Sequence, residues 1–155
     1  MSEAVAFAPE EITTDRPTRS ARLKWVVVVD GTLPPGRMVN AVACIAAATG
    51  AGVAGLLADG GPDASGQHHP GLPWAGCTVL AASPEQLAEL RTRATGSEGT
   101  FVVDMPAAAQ THRVYDDYLR ELAGTAPEDV GACAVGVVGP RNRVDRLVKR
   151  LPLLA

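Results

Sequence analysis

Asp104, Arg37 and Asn40 are the residues whose types and settings point most directly to chemistry. Asp104 follows the apolar run Thr100-Phe101-Val102-Val103 and precedes Pro106, so it stands where a strand leaves the core. A carboxylate at such an edge is partly desolvated and can serve as a general base or orient a nucleophile. An Asp there also caps a helix, here one starting near Ala107. Arg37 opens the first helical stretch, and Asn40 follows at i+3 on the same face. A guanidinium at a helix N-terminus opposes the macrodipole and calls for an anionic partner. Asp30, Asp104 or a ligand carboxylate or phosphate would supply one. Asn40, in an otherwise apolar helix, needs a hydrogen-bond partner. Asp30 ends the run Lys24-Trp25-Val26-Val27-Val28-Val29 and so marks a second strand exit.

Other reactive types have weaker settings. His68 and His69 lie in a Gly/Pro-rich loop before Pro70-Gly71-Leu72-Pro73-Trp74. Adjacent histidines chelate one metal poorly, and no third ligand is suitably spaced, so no zinc site is expected. The loop reads instead as a lid with an exposed Trp74, in which His69 is a candidate ligand-binding or acid–base residue. Cys44, Cys77 and Cys133 are odd in number and have small or apolar neighbours, so they read as reduced cysteines packed as small hydrophobes. GxGxxG after a strand, GxxxxGK[ST], GxSxG and HExxH are all missing from the sequence. No nucleotide cofactor, serine-hydrolase triad or zinc-protease site is therefore expected, and the reading assigns no cofactor.

The elements that must position these residues alternate between strand and helix. Residues 24–30 form a strand buried on both faces, because its apolar run does not alternate. Pro34, Pro35, Gly31 and Gly36 make the next segment a loop, and residues 37–49 form a helix apolar almost all round. Residues 53–57 read as a short strand, followed by the irregular stretch 59–76. Residues 78–82 read as a strand. Ser83-Pro84-Glu85-Gln86 is a capping box with Pro at N1, opening a helix that ends near Gly96. Residues 100–103 give another strand. A helix then runs through Thr111, Val114, Tyr115, Tyr118 and Leu122, whose two tyrosines serve either core packing or an interface. Residues 132–138 form the last long strand and 142–150 the last helix. This order predicts a three-layer α/β domain over residues 23–155, with a mixed, mostly parallel sheet of four or five strands and helices on both faces. Residues 1–22 read as a polar N-terminal extension.

Composition bounds the function classes. The 155 residues carry 14 Lys and Arg against 17 Asp and Glu, a net charge of −3, which disfavours a nucleic-acid partner. Hydrophobic residues supply 46 % but aromatics only 4 %, so the core must be Ala, Val and Leu. The polar start lacks a secretory signal, and no apolar run reaches the roughly 20 residues that cross a bilayer. A cytoplasmic protein with no membrane partner is the expectation.

Four separated blocks then carry a family resemblance. They are Lys24…Asp30…Leu33-Pro34-Pro35-Gly36-Arg37…Asn40; His69-Pro70-Gly71; Asp104…Gln110…Tyr115-Asp116-Asp117-Tyr118; and Gly139-Pro140…Leu151-Pro152-Leu153-Leu154. Together they resemble the bacterial "domain of unknown function 2000" family. That resemblance implies a fold similar to type-2 peptidyl-tRNA hydrolases, and a homodimer. Those enzymes have a catalytic Lys after the helix-opening glycine, where this chain has Arg37. Their strand-end Asp falls on Asp104, while their Thr falls on Ala108, with Gln110 close by. Arg does not give up its proton, so an anion-binding role is carried over and a deprotonated-lysine role is not. The expected function is hydrolysis or transfer at an acyl, ester or amide centre of a small anionic substrate. Arg37 would hold the charge, Asp104 would act as base, and Asn40 and Gln110 would donate or accept hydrogen bonds. The alternative is a non-catalytic module on the same fold that binds a small ligand or a partner. Either way, Arg37 is expected within about 8 Å of the Asp104 carboxylate, hydrogen-bond reach plus one water.

Overall fold

The computed structural model describes residues 3–155, so Met1 and Ser2 of the expected N-terminal extension lie outside the described residues. The elements in chain order are β1 (Leu23–Asp30), α1 (Pro35–Gly52), β2 (Gly61–Pro62), β3 (His68–His69), β4 (Thr78–Ala82), α2 (Pro84–Thr95), β5 (Phe101–Pro106), α3 (Ala107–Thr111), α4 (Tyr115–Ala123), β6 (Ala132–Pro140) and α5 (Arg141–Val148). Four strands form the main sheet in the order β4-β1-β6-β5, and β2 pairs with β3 in a small separate ribbon. The expected alternation and the strand number are both met. The direction is not: only β1 and β4 run parallel, while β6 is antiparallel to both β1 and β5. Unbroken apolar strands require cover on both faces, and helices give that cover to an antiparallel sheet as well as to a parallel one.

Strand alternation divides the core. Trp25, Val27 and Val29 of β1 pack with Ala41 and Ile45 of α1 on one face. Val26 and Val28 pack with Leu87 and Leu90 of α2 and Val144 and Val148 of α5 on the other. Gly136 of β6 is what lets α1 lie close. A β-carbon there would sit 2.6 Å from Ile45 Cγ2 and 3.2 Å from Val103 Cγ1. The helix α2 begins on the expected capping box, with Ser83 Oγ accepting from the Gln86 N–H and Gln86 Oε1 accepting from the Ser83 N–H. Beyond α5 the chain turns back along the free edge of β4. Ala81 N–H donates to the Pro152 carbonyl and Leu154 N–H to the Val79 carbonyl.

Several local expectations change. Residues 53–57 make isolated bridges, Ala54 with Ala6 and Leu57 with Pro73, and no strand. Trp74 is half-buried, tilted against Phe7 at 4.8 Å between ring centroids, with its indole N–H on the Gly55 carbonyl. It closes the packing between the N-terminal segment and the domain and is not an exposed lid residue. The helix expected through Thr111 and Leu122 is two, because His112 and Val114 take extended backbone angles between α3 and α4. Most consequentially, β5 continues through Asp104 to Pro106.

Candidate functional site

Arg37 sits in the first turn of α1, on a helix whose N-cap is Pro34 and therefore offers no side-chain cap. Its guanidinium Nε donates to Gln110 Oε1 at 2.8 Å. Gln110, on α3, spends its whole amide on this corner. Its Nε2 donates to the Arg37 carbonyl at 2.8 Å and to Asn40 Oδ1 at 3.2 Å, and its Oε1 also receives the Cys133 thiol at 3.4 Å. Arg37, Asn40 and Gln110 thus form one hydrogen-bonded cluster. Cys133 is the member that the sequence reading missed.

A bulge puts Cys133 there. Met105 pairs with Ala134 and Pro106 with Ala132, which leaves Cys133 as the extra residue of β6. Cys133 and Ala134 consequently both pack on the α1 face, and the sulfur lies 4.0 Å from an Arg37 terminal nitrogen. Burial pushes the thiol pKa up despite the neighbouring guanidinium, so Cys133 is a neutral hydrogen-bond donor. Nothing in its spacing distinguishes it from a packed cysteine. The only signal is its place at the start of the last strand, beside the exit of the first.

Asp30 borders this corner. It is buried, and its Oδ1 accepts from the Thr32 N–H at 2.9 Å and the Thr32 hydroxyl at 2.6 Å, which fixes the turn leading to α1.

Asp104 does not join the cluster. Val103 and Met105 face α1, while Asp104, on the edge strand β5, turns towards α2 and also borders the cavity that α1 shares with Tyr118. Its Oδ2 accepts from Arg91 Nε at 2.9 Å on that far side. Arg37 and Asp104 do not pair with each other: Gln110 and Cys133 hold the one, and Arg91 holds the other. His69 pairs within its own loop, its Nε2 3.2 Å from Asp63 Oδ2, and both side chains are exposed.

An apolar groove of 590 Å³ continues from the polar cluster along α1. Asn40 lies one turn from Cys44, which lines it, and Gln110 adjoins Ala109, which lines it from α3. Ile45, Ala48 and Met105 line it together with Tyr118, and Asp104, His112 and Arg113 are its acidic and basic members. Tyr118 meets Tyr115 edge-on at 5.5 Å, and partial burial raises its phenol pKa. Exposure of an apolar helix was not expected, yet Cys44, Ala47 and Ala48 are exposed along the groove. Among the described residues, no group of three or more His, Cys, Asp or Glu could hold a metal, and no helix is long and apolar enough to cross a membrane.

A protein of unknown function from Agrobacterium tumefaciens strain C58 has a similar solved structure, with a TM-score of 0.74 at 17 % identity over 86 % of this chain and 98 % of that one. At that identity the likeness is one of fold. No curated protein matches the chain. The family described as "Protein of unknown function (DUF2000)" matches residues 23–155, and the chain belongs to that family.

Proposed function

We propose that the chain is a small-ligand-binding module whose ligand carries an anionic head and an apolar body. The carrying observation is the partner of Arg37. Among the described residues no carboxylate pairs with it; an amide oxygen and a thiol hold it instead. A positive group oriented by neutral partners, at the positive end of an 18-residue helix, keeps its charge free for an incoming anion. The adjoining groove has the volume and apolar lining of a small-molecule site, typically about 300–1,000 Å³. The anionic head would replace solvent at Arg37, with Asn40 beside it, and the apolar body would lie between Ala48 and Tyr118.

Hydrolysis or transfer at an acyl centre is the less supported reading, because the carboxylate assigned as its base is ion-paired with Arg91. Similarity to peptidyl-tRNA hydrolases would then be one of architecture with a different use of the surface.

Straight-chain carboxylates from butyrate to decanoate, followed by thermal shift, test the proposal. Octanoate should stabilise the protein, octanol should not, and Arg37→Ala should remove the response. A ligand at 100 times its dissociation constant adds about 2.7 kcal/mol, readily seen in such a scan. Equal responses to octanoate and octanol would refute an anionic head.

A further inference from the structure

A second concave site lies on the opposite face, between α2 and α5. Its volume is 420 Å³, and Arg93, Arg146, Lys149 and Arg150 surround it. Leu90, Leu147 and Leu151 supply an apolar floor, and Glu89 is the one carboxylate in the lining. The lining therefore carries three net positive charges, on a chain whose net charge is −3. Glu89 reaches only Arg93, at 3.8 Å, and among the described residues Arg146, Lys149 and Arg150 have no ion pair. The macrodipole of α5 accounts for cations at its own C-terminal end. Arg93, in the last turn of α2, is favoured by its own helix in the same way, but neither dipole accounts for the two helix ends converging on one cavity.

The backbone that presents the cations is held at both ends. Leu151 N–H closes the turn onto the Val148 carbonyl, and Pro152 and Leu154 are bonded to the β4 edge at Ala81 and Val79. Lys149 and Arg150 thus project from a clamped turn, and the cost of bringing like charges together is met in advance by the fold. Four like charges converging on one cavity with a single carboxylate to oppose them call for a polyanion.

We propose that this cleft binds a small polyphosphate group, free or borne by a nucleotide. The cations ring one cavity and do not run in a stripe, and the rest of the acidic surface repels a long polyanion, so a small ligand is favoured over a nucleic acid. This site is independent of the ligand assigned to Arg37.

Inorganic tripolyphosphate is the probe, titrated calorimetrically into the whole chain at low salt. Wild-type protein should bind it. Arg146→Gln/Arg150→Gln should weaken binding at least about tenfold, and Arg146→Glu/Arg150→Glu should abolish it, each with an unchanged circular dichroism spectrum. Arg19→Gln, which removes an exposed cation outside the cleft, should bind as wild type does. Affinity should fall as salt is raised from 20 mM to 200 mM, through the range where the Debye length drops below about 10 Å. ATP binding more tightly than tripolyphosphate would support the nucleotide source, and equal affinity the free group. No binding by wild-type protein, or binding undiminished in both double variants, would overturn the proposal. So would a single-stranded RNA binding while tripolyphosphate does not.

Discussion

On the α2–α5 face, Asp104 and Arg91 neutralise each other at 2.9 Å, and α2 starts on a complete capping box. On the α1 face, Arg37 is held by a neutral amide, α1 has no side-chain cap, and an apolar groove stays open beside it. The sheet thus separates two arginines, Arg91 neutralised by a carboxylate and Arg37 oriented but not neutralised. The difference locates the ligand assigned to Arg37 on the α1 face. Charge and polar groups satisfied internally add stability, and those left directed outward are available for recognition.

The largest expected effect breaks the closed face alone. Leu87 is fully buried beneath α2, so Leu87→Ala should cost about 2–5 kcal/mol by chemical denaturation. The stabilisation by octanoate should persist in that variant, because nothing at Arg37 moves. Gly136→Ala acts on the open face. Its added methyl must displace Ile45 and Val103, costing about 1–3 kcal/mol, and by lifting α1 it should also weaken the octanoate response. A normal octanoate response in Gly136→Ala would uncouple the site from the seating of α1. Ser83→Ala removes one half of the capping box and should cost about 1 kcal/mol, read as a lower melting temperature with ligand binding intact.

The smallest effect concerns the N-terminal segment, which lies over the α1 face through buried Phe7. The hydrogen bond from Arg22 holds the Glu11 carboxyl down to about 2 from its ordinary value near 4.5. A depressed folded value means the contact stabilises above the unfolded value and is lost as pH falls from about 4.5 towards 2. Tryptophan fluorescence, sensitive to Trp74 against Phe7, should change over that window in the wild type and not in Glu11→Gln.

The contrast between the faces was only partly legible in the sequence. The valine run of β1 and the Ser83–Gln86 box were readable because local chemistry alone determines them. The Asp104–Arg91 pair was not legible, because it joins β5 to α2 and depends on which way one residue of an edge strand turns. The Arg37–Asn40 pair was visible as a helical spacing, whereas its meeting with Gln110 depends on the break between α3 and α4. Cys133 enters the site only through a bulge, a feature of strand pairing that a single sequence does not reveal. Strand direction was misread for a related reason, since burial on both faces specifies cover and not orientation.

The most direct test compares the two charged pairs in one calorimetric titration of octanoate into wild type, Arg37→Ala and Asp104→Asn. A hydrogen bond to a charged group is worth about 1.5–3 kcal/mol, so Arg37→Ala should weaken binding by at least about tenfold. Asp104→Asn should bind within about a factor of two of wild type and lose less than about 1 kcal/mol of stability, since the Arg91 pair is partly exposed. Octanoate binding undiminished in Arg37→Ala would contradict the assignment of the anionic head to Arg37.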